Sequence, residues 1–276
     1  MIEIPEAIYL AEQLNQTVRG KRIARAEAAH SPDKFAWYQG SPQRYPELLN
    51  GKTIGEARGF GTQVEFAAGD ARVAVSEGAT LHYHTDRSEI PDKHQLLLEF
   101  TDGSALCLTV RMYGGILCFR EGEAENPYYL AARDALTPLS DDFNWNTFQK
   151  LLTTPEMDKL SAKAFLATEQ RIPGLGNGCL QDILYNAGIH PKRRMGTLNE
   201  KERKELFHSV KTTLAEMTAR GGRDTEPDLF GNPGGYHSLC SKNKVGQPCG
   251  KCGSLIVKEA YMGGSVYFCP VCQPLL

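Results

Sequence analysis

Apolar positions come in short alternating runs along the first half of the chain and recur every three or four residues along the second. Residues 5–17 open on Pro5, suited to a first helical turn, and set Ile8, Leu10, Ala11 and Leu14 at helical spacing, which predicts a short N-terminal helix. Between 22 and 120 the runs Val73-Ala74-Val75, Gln95 to Phe100 and Ala105 to Leu108 are separated by Gly and Asp-Gly turn signals, the pattern of an antiparallel β-sandwich. Beyond Asn126-Pro127 helical periodicity takes over at 145–152, 157–167, 178–187 and 199–220, and Asn199 with Glu202 has the spacing of a helix start. A Gly-, Pro- and polar-rich stretch, 221–248, then leads into four cysteines. The fold class expected is α+β: an antiparallel β-sandwich flanked by helices, then a helical domain and a cysteine-bearing module. The boundaries expected are 1–125, a linker at 126–145, 146–236, and 237–276.

A chain of 276 residues, 41% apolar, can bury a sizeable core and has the length of two domains. It contains neither an uninterrupted apolar run of membrane-spanning length nor a basic-then-apolar leader, so a soluble protein of the cytoplasm is expected. A net charge of -2 argues mildly against a nucleic-acid partner. That average hides a division: Lys and Arg outnumber Asp and Glu by 17 to 12 in residues 146–276, and are outnumbered 21 to 14 in residues 1–145. The C-terminal half is the basic one. Uneven surface charge gives the same numbers, so charge does not settle the partner.

Cys249 and Cys252, then Cys269 and Cys272, form two Cys-x-x-Cys pairs separated by 16 residues, the spacing at which two knuckles supply four thiolates to one tetrahedral zinc ion. Four thiolates leave no open position for water, so such an ion is structural. The alternatives are two disulfides, which fit a reducing compartment poorly, or four free thiols. Cys107, Cys118, Cys179 and Cys240 are scattered and read as small buried residues.

The segment Gln170 to Gly178 places glycines and Asn177 where a tight turn leads into a helix, whose first amides could grip a phosphate. Read alone, this turn is better explained as a plain helix connection. The longer stretch Lys163 to Pro191, with Lys163, Gln170, the Pro-Gly-Leu-Gly-Asn turn, Asp182-Ile183-Leu184 and Ala187 to Pro191, resembles the helix–two-turns–helix of the formamidopyrimidine-DNA glycosylase and endonuclease VIII family. Arg111-Met112-Tyr113-Gly114, Gly221-Gly222 and Pro248 to Gln273 match further family segments in the right order. The resemblance implies a β-sandwich and a helical, zinc-bearing domain that bind damaged or abasic double-stranded DNA as a monomer, near the nucleoid, with the damaged nucleotide flipped out. By position it implies Glu3 and Glu6 as catalytic carboxylates, Lys163 and Asn177 on phosphates, Arg111 on the opposite strand or base, and Tyr113 as the wedge. The loop 223–236 would lie over the flipped base.

Ile2 stands where the family has the proline whose amine attacks the sugar, and a bulky second residue discourages removal of Met1. Gly61-Thr62 replaces a family Gly-Lys, Gly78-Ala79-Thr80 a Met-Ser-Gly, and Gly264 an arginine of the ribbon; His82, Tyr83 and His84 offer replacement contacts or a strand end. The expected function is therefore a DNA repair glycosylase in which Glu3 activates water, with AP-lyase activity placed in question. The alternative is an inactive protein that binds damaged or abasic DNA, with Glu3 and Glu6 serving only the positive start of the first helix.

Overall fold

A computed structural model describes residues 1–154 and 156–275. The chain divides into two compact units: Met1–Asp134 together with Glu226–Gly234, and Ala135–Thr225 together with Gly235 onward.

The first unit begins with helix α1 (Ile4–Thr17), followed by strands β1 (Ile23–Ala28) and β2 (Ala36–Tyr38), the short helix α2 (Tyr45–Leu49), and β3 (Ile54–Phe60), β4 (Gln63–Ala68), β5 (Ala71–Ser76), β6 (Ala79–His84), β7 (Leu96–Phe100), β8 (Ala105–Val110) and β9 (Gly114–Arg120). They build a four-stranded sheet, β1-β7-β8-β6, and a five-stranded sheet, β2-β9-β5-β4-β3. One pairing departs from the antiparallel expectation: β2 runs parallel to β9, Ala36 opposite Gly114. A three-residue strand carries too few side chains for alternation to mark its direction. Val64, Phe66, Val73 and Val75 of one sheet share a single buried cluster with Leu81, Leu96, Leu98, Leu106 and Leu108 of the other, and with Leu10 and Leu14 of α1. Each such Leu, Val or Phe contributes about 1.5–3 kcal/mol relative to exposure. The outward face of β5 and β9 is buried too, because Tyr129 of α3 (Pro127–Asp134) covers Ala74, Leu117 and Phe119. Burial on both faces explains why these strands read as continuous apolar runs.

Helix α1 lies directly on the sheet backbone. A Cβ at Gly59 of β3 would fall 2.2 Å from the carbonyl oxygen of Ala7, so only glycine admits this approach. Asn15 fixes the register by donating to Ala57 O at 2.7 Å and accepting from Ala57 N at 2.8 Å.

The second unit holds α4 (Trp145–Leu151), α5 (Ala162–Ala167), α6 (Cys179–Ala187) and α7 (Glu200–Ala219), then the hairpin β10 (Val257–Tyr261) and β11 (Gly264–Phe268). The helix expected over 157–167 is broken: Met157–Lys159 is a 3-10 turn, Leu160 is extended, and Ser161 restarts the chain by accepting from Ala164 N. A serine N-cap competes with helix continuation, and here it wins. Helix α7 starts on the expected capping box, Asn199 Oδ1 accepting from Glu202 N at 3.0 Å and Glu202 Oε2 from Asn199 N at 2.9 Å. Helix α6 ends on Gly188, whose φ of 68 closes the helix in the left-handed region. Among the described residues no helix is long and apolar enough to cross a membrane.

Candidate nucleic-acid interface

In the first unit the acidic candidates sit at the start of α1. Glu3 is its N-cap, and Glu6 Oε2 accepts the backbone N–H of Glu3 at 3.1 Å, one half of a capping box. Both carboxylates are buried. The Ile2 side chain is part of the sandwich core, and its backbone N–H donates to Glu77 O at 2.8 Å. The Met1 ammonium is ion-paired with Glu226. Burial, and after it the charge of Glu3, raises the Glu77 carboxyl above the ordinary glutamate range. Glu77 thus joins Glu3 in one electrostatic pair. Nothing in the sequence marks it: it is an isolated acid before Gly78, and its φ of 39 appears only in the fold.

Arg111 and Tyr113 lie together on an exposed turn between β8 and β9. Tyr113 is 59% exposed and holds a φ of 48, a left-handed conformation costly for a bulky residue. The ring makes an edge contact with Phe35 at 4.8 Å. The turn is set by its neighbour: Arg111 N donates to Gly78 O at 3.1 Å, and a Cβ on Gly78 would come within 1.4 Å of Met112 O. Gly78 is therefore what allows the Arg-Met-Tyr turn to sit where it does.

The segment Glu226–Gly234 belongs to this same unit. It is a folded loop held by its own side-chain hydrogen bonds. Asp228 Oδ1 accepts from Phe230 N at 2.9 Å and Asn232 N at 2.8 Å, and Gln13 bridges to Asp228 Oδ2 at 3.0 Å and to Leu229 N at 2.9 Å. Leu229 is fully buried in the sandwich core, and its carbonyl accepts from Tyr83 N at 2.9 Å. His82 packs under Gly231, and Tyr83 meets Phe230 edge-on, so both support this loop. His84 is buried.

In the second unit the fold brings Lys163 and Asn177 to the turn of the β10–β11 hairpin. Lys163 Nζ donates to Tyr261 O at 2.7 Å, and Asn177 Nδ2 to Ser265 O at 3.1 Å. Gln181 reinforces the joint, donating to Ser265 O at 3.2 Å and accepting from Tyr267 N at 3.0 Å. An ammonium has three donors and an amide two, so one carbonyl does not exhaust either group. Burial lowers the Lys163 pKa below the usual lysine value. A Cβ on Gly264 would lie 3.4 Å from Lys163 Nζ and 4.0 Å from the Asn177 amide, so that glycine borders the same spot. Just before it, Glu169 and Gln170 hold consecutive left-handed conformations (φ 58 and 52) at the entry to the glycine-rich turn. Such local strain belongs to segments that the surrounding fold over-determines.

The hairpin also carries the cysteines. One ligand atom from each of Cys249, Cys252, Cys269 and Cys272 lies within 4.8 Å of the others, with Sγ–Sγ separations of 3.8 Å for Cys249–Cys272 and 3.5 Å for Cys252–Cys269. A tetrahedron with metal–sulfur bonds of about 2.3 Å has edges of about 3.8 Å, so the four sulfurs are spaced to hold a metal ion. Backbone N–H groups of Lys251 and Cys272 point at Cys249 and Cys269 Sγ, each at 3.4 Å, and Tyr185 Oη lies 3.1 Å from Cys249 Sγ. Gln273, fully buried, locks the second knuckle by accepting from Cys269 N and donating to Ile189 O, each at 2.9 Å. Cys107, Cys118, Cys179 and Cys240 are buried thiols.

Residues 135–227 match the family model described as the formamidopyrimidine-DNA glycosylase H2TH domain. Along its whole length the chain is 30% identical over 283 residues to a formamidopyrimidine-DNA glycosylase of Bacillus cereus, covering 99% of each, and 29% identical over 282 residues to that of Shouchella clausii. Its fold matches that of Lactococcus lactis Fpg in complex with DNA containing an abasic site, with a TM-score of 0.83 at 24% identity over 99% of both chains. The same fold is found in a Lactococcus lactis Fpg complex with DNA containing an oxidised pyrimidine, with a TM-score of 0.81.

Proposed function

Because the chain belongs to the formamidopyrimidine-DNA glycosylase family, we propose that it is a DNA repair enzyme that binds damaged double-stranded DNA and hydrolyses the bond between a damaged base and its sugar. The observation carrying the chemical half of this reading is the buried Glu3, with Glu77 in electrostatic reach, at the start of α1. A carboxylate withdrawn from water can take a proton from an attacking water molecule. The water oxygen bonds to the sugar C1′, its proton passes to Glu3, and the C1′–N bond breaks with its electron pair leaving on the base. The product is an intact abasic site. Strand cleavage through an imine needs an amine where Ile2 N lies, and with Met1 in place that nitrogen is an amide donating to a carbonyl.

DNA binding falls to the two surfaces. Lys163 and Asn177 take phosphates with their remaining donors, Arg111 reaches the opposite strand or base, and Tyr113 fills the gap left by the flipped nucleotide. Cys249, Cys252, Cys269 and Cys272 hold one structural zinc ion that fixes the hairpin on which Lys163 and Asn177 rest. The protein works in the cytoplasm as a monomer on chromosomal DNA. A second reading, binding of damaged or abasic DNA without catalysis, is favoured by the Met1–Glu226 ion pair, which engages the N-terminal amine.

End-labelled duplexes carrying oxidised purines, oxidised pyrimidines, uracil or an abasic site, resolved with and without hot alkali, separate these readings. Breaks that appear only after alkali are the expected result. Cleavage without alkali restores the amine route, and tight binding with no product on any substrate establishes the binding protein.

A further inference from the structure

Strand β1 ends in Glu27-Ala28, and Ala29, with a φ of 56, turns the chain so that His30 comes to face His94. Backbone bonds pin this turn: Ala29 N donates to Gln95 O at 2.8 Å, Ser31 N to His94 O at 3.0 Å, and Gln95 Nε2 to Ser31 O at 3.0 Å. The two imidazoles stack with centroids 4.5 Å from each other and planes 9° from parallel. A carboxylate oxygen of Glu27 and one ring nitrogen from each histidine lie within 4.8 Å of one another.

The tautomer of the neutral His94 ring is set by its hydrogen bond. Its Nδ1 lies 3.0 Å from Pro91 O, and a carbonyl oxygen only accepts, so Nδ1 carries the proton and Nε2 the lone pair. His94 is 5% exposed, and Nε2 is buried without a hydrogen-bond partner. A buried acceptor left unsatisfied costs stability unless something fills the role of donor. An imidazole whose N–H is held by a backbone carbonyl while the other nitrogen stands open is the arrangement of a metal-ligating histidine. Glu27 is likewise oriented: Arg25 Nη2 holds Oε2 at 2.8 Å, leaving Oε1 on the side of His30 Nδ1, also at 2.8 Å.

We propose that Glu27, His30 and His94 bind a divalent transition-metal ion, at a site distinct from the four cysteines. Two imidazoles and one carboxylate suit zinc, nickel or copper rather than magnesium or calcium. Parallel rings do not aim their lone pairs at one point, so loading requires one ring to turn. His30, with a side chain 45% exposed, is free to do so while buried His94 stays fixed. The ion would then staple the end of β1 to the segment leading into β7.

The test uses full-length protein whose cysteine site has first been loaded with zinc, titrated with nickel(II) by calorimetry near neutral pH, with zinc and nickel contents measured after dialysis. One nickel ion per chain beyond the zinc is expected, together with a rise in the thermal midpoint. His30→Ala and Glu27→Gln, both at exposed or half-exposed positions, should each weaken uptake about tenfold or more without loss of zinc, whereas His82→Ala should leave it unchanged. Absence of the extra equivalent in the wild type, or its persistence at full affinity in both His30→Ala and Glu27→Gln, overturns the site.

Discussion

The backbone N–H of Glu3 is held by Glu6 Oε2 at 3.1 Å, which ties together two acids that stand one helical turn from each other. Both acids cap the helix start, and in the proposed reaction the buried Glu3 is also the group for chemistry. Glu3→Gln should lower base release by about 100-fold or more while changing stability little, because the amide oxygen can still cap the helix. Glu6→Ala should instead destabilise the fold by about 0.5–2 kcal/mol. Single-turnover rates and urea unfolding on the same two variants check this; equal losses of rate and stability in both would mean the acids act only as caps.

Gly78 should tolerate no side chain. Its Cβ would overlap Met112 O, so Gly78→Ala must move the turn carrying Arg111 and Tyr113. Retained circular dichroism with a loss of damaged-DNA binding at least as large as that of Tyr113→Ala is the expected outcome, measured by fluorescence anisotropy.

Gly264→Arg should strengthen binding. The new cation would rise beside Lys163 and Asn177, and if it reaches one further phosphate, the slope of log affinity against log salt steepens by about 0.9. An unchanged slope would place this edge of the hairpin outside the DNA footprint.

Asp182 gives the fold a pH dependence of unusual sign for a carboxylate. Burial pushes its pKa up to about 6 against the opposing bonds from Leu239 N and Cys240 N at 2.8 and 2.7 Å. Between the ordinary aspartate value of 3.8 and about 6, the folded protein holds a proton the unfolded chain has lost. Its contribution therefore falls as pH rises through that window and is level above it. The difference in urea stability between wild type and Asp182→Asn, both zinc-saturated, should change by up to about 3 kcal/mol across it, at about 1.4 kcal/mol per pKa unit.

Removing metal should disable binding at a distance from the cysteines. Tyr261 and Ser265, whose carbonyls hold Lys163 and Asn177, lie on the hairpin that the four sulfurs close. Chelation should therefore lower the thermal midpoint and weaken DNA binding together, and zinc should restore both. Recovery of one without the other would separate the hairpin from the interface.

The features legible in the sequence were those written by local rules. The Asn199–Glu202 capping box and the Pro5-led first helix rest on contacts a few residues long, each Cys-x-x-Cys knuckle is a local motif, and each lies where the spacing puts it. What escaped depends on partners far along the chain. Apolar periodicity runs through Leu160 and Ser161, yet the serine caps a new helix. Leu229 stands with Phe230 in an otherwise polar stretch, and only the sandwich core reveals why it is there. Glu77 acquires its character from burial and then from Glu3, seventy-four positions away by number, and no local pattern could announce it.

Leu229 also bears on the order in which this protein can be made. The core of the first unit includes a side chain that the ribosome adds long after residue 134, and Gln13 has its partners Asp228 and Leu229 only once that segment has emerged. At about 5–20 residues per second, the N-terminal sandwich waits several seconds or more with an incomplete core. A gene fragment ending at Asp134 would leave it permanently so, which makes the first unit early in sequence yet late to finish folding.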